Sequence, residues 1–81
     1  MSDTTHTLTQ TQHGEWELHS EHRHNGHRIT KLLTTIRAIT PETAMTHANM
    51  WLRIHHPPTR RLGNRWAKSR GYTRRWALRT A

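Results

Sequence analysis

Eighty-one residues without a cysteine allow one small domain at most, with no disulfide and no thiolate metal site to staple it. Apolar residues make up 31% of the chain, with no Phe and no Val, so four Trp and a few Leu and Ile must supply any core. No apolar run approaches the ~18 residues of a membrane-crossing helix, and the net charge of +8 favours polyanionic partners.

Residues 1–5 are polar and are expected to be disordered, ahead of a compact body over residues 6–56. The opening MSDTTHTLTQ lacks the basic-then-apolar pattern of a secretory leader, and with the absence of Cys a cytoplasmic setting is expected. HTLTQTQ, residues 6–12, is Thr-rich around Leu8 and predicts a weak strand, with His13-Gly14 as a turn. EWELHSEHR, residues 15–23, alternates. Trp16, Leu18, Ser20 and His22 take one side; Glu15, Glu17, His19, Glu21 and Arg23 take an acidic outer side. Asn25-Gly26 then supplies a strong two-residue hairpin signal.

Residues 27–39, HRITKLLTTIRAI, read two ways. Ile29, Leu32, Leu33, Ile36 and Ile39 match one face of a helix. The stretch is also rich in β-branched residues, and the Asn-Gly turn before it asks for a strand to pair with. The strand is the preferred reading and the helix stays open. Thr40-Pro41-Glu42 starts a helix: Thr40 caps, Pro41 suits the first helical position, and Glu42 meets the positive dipole end. Ala44, Met45, Ala48, Trp51, Leu52 and His55 form its stripe, and Pro57-Pro58 ends it. The expected architecture is therefore α+β: a small three-stranded antiparallel sheet packed on one helix. Its expected core is Trp16, Leu18, Ile29, Leu33, Ile36, Met45, Ala48 and Leu52.

Residues 57–81 differ in kind. They carry Arg60, Arg61, Arg65, Lys68, Arg70, Arg74, Arg75 and Arg79 and no acid. The five cations before them (Arg23, Arg28, Lys31, Arg37, Arg53) are matched by Asp3, Glu15, Glu17, Glu21 and Glu42, so the whole excess sits in this tail. Leu62 and Trp66 stand four apart, which predicts a short helix over about 59–69; Gly71 breaks it, and Thr73 caps a last turn bearing Trp76. Trp66, Tyr72 and Trp76 lie among the cations. Forked arginine donors grip phosphate and aromatic rings stack on bases, so this basic and aromatic tail predicts a small nucleic-acid-binding protein, for DNA or RNA. Neutralising about six phosphates would give a salt slope near −5 on duplex DNA.

HGEWELHSEHRHNGHRITK followed by ITPETAMTHANMWL resembles the arm-site DNA-binding domains of phage tyrosine integrases and the three-stranded DNA-binding domains of plant ethylene-response factors. Gly14, Trp16, Gly26, Thr40, Glu42, Ala44 and Ala48 carry the likeness, over about half the chain. Gly26 to Thr40 is longer than that pattern, and Glu15, Glu17 and Glu21 stand where those families place cations. The resemblance implies a three-stranded sheet and a helix, with His19, Arg23 and Arg28 facing DNA.

His22, His24, His27, His55 and His56 invite a zinc reading, but their spacing is loose and a polar histidine-rich surface is the preferred one. His24, Asn25 and His27 are too compressed for a metal nuclease frame. No Ser–His–Asp set, Gly-rich phosphate loop or paired inward carboxylates are visible, so no enzyme and no cofactor are expected. Met45, Met50 and Trp51 suggest an alternative from another class: a small phage-type inhibitor or adaptor that docks on a larger host or phage protein, with the same Arg and Trp residues as anchors.

Overall fold

The computed structural model describes residues 4–55 and 65–79. The chain runs β1 (Thr4–Gln12), β2 (Glu15–His24), β3 (His27–Arg37), α1 (Pro41–His55), β4 (Arg65–Lys68) and β5 (Arg75–Arg79). All strands form one antiparallel sheet in the order β3-β2-β1-β5-β4. The α+β class is as expected, but the sheet has five strands rather than three. Thr4 and Thr5, expected to be disordered, belong to β1. Among the described residues no helix is long and apolar enough to cross a membrane.

Local signals account for the first half. Asn25 and Gly26 have φ of 52° and 78°, the left-handed pair that a two-residue hairpin needs to match strand twist. The open question over residues 27–39 resolves to strand, because His27–Arg37 pairs along the whole of β2. That pairing slips by one residue opposite Leu18/His19, leaving Leu33 as the extra residue of a bulge and turning it toward the core. At the helix start, the Thr43 N–H donates to Thr40 Oγ1 at 3.3 Å and the Ala44 N–H to the Thr40 carbonyl at 3.1 Å. The Thr40 hydroxyl thus satisfies an amide that the first turn leaves unpaired, and its carbonyl accepts the first bond of the helix. At the other end Trp51 and His55 stack one turn apart, with ring centroids 4.4 Å apart.

The helix covers one face of the sheet. Ala44, Ala48 and Leu52 of the helix meet Leu8, Trp16, Leu18, Ile36, Ala38 and Leu78, all buried, with Leu33, Met45, Trp51, Trp66 and Trp76 packed around them. Each fully buried Leu stabilises the fold by roughly 1.5–3 kcal/mol. Trp16 is completely buried, and its indole N–H donates to the Ala38 carbonyl at 2.9 Å, so no polar atom is stranded. Ile29 is a correction: it is 43% exposed, in the far half of the β2–β3 hairpin, where residues 23–32 are all exposed.

The largest correction concerns the C-terminal segment. The expected helix over 59–69 is not formed where the structure describes it: residues 65–68 are β4, and residues 59–64 lie outside the described residues. The expected last turn bearing Trp76 is β5, which pairs with β1 through Thr7↔Ala77, Leu8↔Trp76 and Thr9↔Arg75. β5 is therefore an interior strand and not a projecting arm. Trp76 rests against Trp16, centroids 5.4 Å apart and planes at 51°, and the Trp66 indole N–H donates to Asn49 Oδ1 of the helix at 3.0 Å. These two contacts fasten the C-terminal hairpin under α1.

Candidate nucleic-acid interface

Strand parity decides what the other face of the sheet presents. In β1, Leu8 lies under the helix, so Thr5, Thr7 and Thr9 face away from it. Their register partners Glu21, His19 and Glu17 share that face, and so do Arg75 and Ala77 of β5. Beyond the bulge, Arg28 and Thr30 of β3 join them.

Three strands meet there at one carboxylate. Arg28 Nε lies 2.7 Å from Glu21 Oε1, and Arg75 Nη2 lies 3.1 Å from Glu21 Oε2. Because β1 separates β5 from β2, the Arg75 side chain must cross β1 to reach Glu21. Thr7, on the strand so crossed, is buried although no helix covers that side. The Arg75 guanidinium also sits over the Tyr72 ring, 4.8 Å from its centroid, a favourable stacking of cation on ring. Its Nε is buried and has no acceptor among the described residues.

The turn between β4 and β5 folds over the edge of this face. The Ser69 N–H donates to the Arg75 carbonyl at 2.8 Å and the Tyr72 N–H to the Ser69 carbonyl at 3.2 Å. Gly71, at φ 85°, permits the reversal. The result is an open groove of about 400 Å³ walled by Thr5, Glu21, Arg23, Arg28, Tyr72 and Arg75, among others. Three arginines against one glutamate leave it at +2. The acidic outer side read from β2 is thus offset in part, because Glu21 is held between two arginines.

The residues expected to bind nucleic acid scatter. Arg75 and Tyr72 line the groove, and Arg70 and Arg74 stand exposed on its turn. Trp66 and Trp76 lie on the other side of the sheet: both face the helix and pack, half-buried, against the core. Lys68, opposite Trp76 in register, is exposed on that same helix side. Arg65 and Arg79 pair with one another in register at the ends of their strands. Arg60 and Arg61 lie outside the described residues. His19, Arg23 and Arg28, named through the family resemblance, all border the open face. The central role of Glu21 was missed. Alternation put it on the outer side, but nothing local announces a partner 54 residues away.

For the histidines, His24 and His27 oppose one another across the Asn25–Gly26 turn, His22 opposes Ile29, and His56 lies outside the described residues. Among the described residues no three His, Asp or Glu side chains are placed to share a metal ion. The chain matches no protein-family model, no curated protein and no solved structure.

Proposed function

We propose that the protein binds nucleic acid through the open face of its sheet and the β4–β5 turn. The carrying observation is the make-up of that face: a groove at net +2 with a tyrosine at its wall, on the side of the sheet that the helix leaves uncovered. Forked guanidinium donors and an aromatic platform are the parts from which phosphate and base contacts are made. Arg23, Arg28, Arg70, Arg74 and Arg75, less the charge of Glu21, neutralise about four phosphates, which lowers the expected salt slope to about −3 to −4. In this reading the chain carries out no catalysis, and the resemblance to sheet-based DNA-binding domains agrees with it.

The test is fluorescence anisotropy with labelled oligonucleotides across a salt series. The double variant Arg70→Ala/Arg74→Ala should weaken binding at low salt and flatten the slope by up to about two units, with its melting temperature unchanged because both side chains are exposed. Absence of any binding at about 50 mM salt would reject the reading. A second reading, an adaptor docking on a larger protein, is favoured by Met50 and Ile54, 56% and 70% exposed one turn apart on α1. Binding carried by that surface would be far less sensitive to salt.

A further inference from the structure

The open face bears on which form of nucleic acid is bound, an inference that rests on the reading just proposed. We propose that its ligand is single-stranded, with one base stacked on Tyr72. The chain has five aromatic residues, four Trp and one Tyr. Trp16, Trp51, Trp66 and Trp76 all belong to the core or pack against it, which leaves Tyr72 as the aromatic platform of the open face. The residue is 53% exposed and borders the groove.

That ring is already positioned for stacking. Its backbone is tied to Ser69, the Arg75 guanidinium lies over the ring, and Arg75 is itself held by Glu21. A platform fixed before binding loses little freedom when a base arrives. Bases within a duplex are already stacked on one another, so presenting one to Tyr72 would require unstacking; a single strand presents its bases without that cost. The groove is also small, at about 400 Å³, near the lower end of small-ligand sites. It suits a nucleotide rather than a helix. Arg23 and Arg28 stand in the same groove to meet the flanking phosphates, Arg28 with 60% of its side chain exposed.

Because Tyr72 is the sole tyrosine, 3-fluorotyrosine incorporation places one 19F label on the platform without changing any other side chain. Titration with oligothymidine and with oligouridine should shift that resonance, and the ratio of the two affinities tells DNA from RNA. A duplex of equal length should shift it little and bind more weakly. Tyr72→Ala should weaken single-strand binding by about 5- to 150-fold while leaving the salt slope unchanged, and Tyr72→Trp should retain binding. If single strand and duplex bind equally, with the fluorine signal unmoved and Tyr72→Ala silent, the single-strand inference is overturned. Should Arg70→Ala/Arg74→Ala still weaken binding in that case, the broader nucleic-acid reading survives. Failure of every oligonucleotide to bind removes both.

Discussion

Trp76→Ala separates a C-terminal arm from a C-terminal strand. On an arm, removal of this ring would weaken nucleic-acid binding and leave the fold alone. In the structure Trp76 stands opposite Leu8 on β5, and its ring lies 5.4 Å from that of the fully buried Trp16. A Trp side chain buries about 150–250 Å², which at about 25 cal/mol per Å² gives roughly 4–6 kcal/mol when burial is complete. Trp76 is only partly buried, so the lower part of the 3–5 kcal/mol range for aromatic-to-Ala changes applies, about 3 kcal/mol. A small domain has about 5–15 kcal/mol in all, and each kcal/mol moves the melting temperature of a domain this size by about 4–8 °C. The expected drop is about 12–24 °C, read by circular dichroism during a thermal melt. A variant that melts with the parent protein would refute the argument and return residues 65–79 to the role of a detachable arm.

Two other changes probe the helix and the groove. Leu52→Ala removes a side chain that is 2% exposed at the core end of α1, and should cost about 2–5 kcal/mol, seen as a lower urea midpoint; an unchanged midpoint would place Leu52 outside the core. Glu21→Gln raises the groove from +2 to +3, so nucleic-acid affinity should rise at low salt and the slope should steepen by about 0.7–0.9. A fall in affinity would show instead that the carboxylate is needed to hold Arg28 and Arg75 in place.

Much of the first 55 residues is legible without coordinates because their signals are local. Thr40, Pro41 and Glu42 specify a helix start through capping and dipole, within one turn of chain. Asn25-Gly26 specifies a hairpin because both residues tolerate positive φ, and alternation in residues 15–23 puts Trp16 and Leu18 on the buried side. Cation content, too, is a property of composition alone. The second half was misread for a physical reason. β4 and β5 are four and five residues long; β4 has cations on both parities and the alternation of β5 spans five residues only, so period two hardly shows, and the Leu62–Trp66 spacing imitates a helix instead. What makes them strands is the pairing of β5 with β1, at the far end of the chain, the pairing of β4 with β5, and the packing of Trp76 beside Trp16. Such contacts form only when the chain closes on itself, and no window of sequence contains both partners. The groove follows the same logic: its charges were visible one by one, but only the strand order β2-β1-β5 brings Arg75 across to Glu21 and sets Tyr72 beside it.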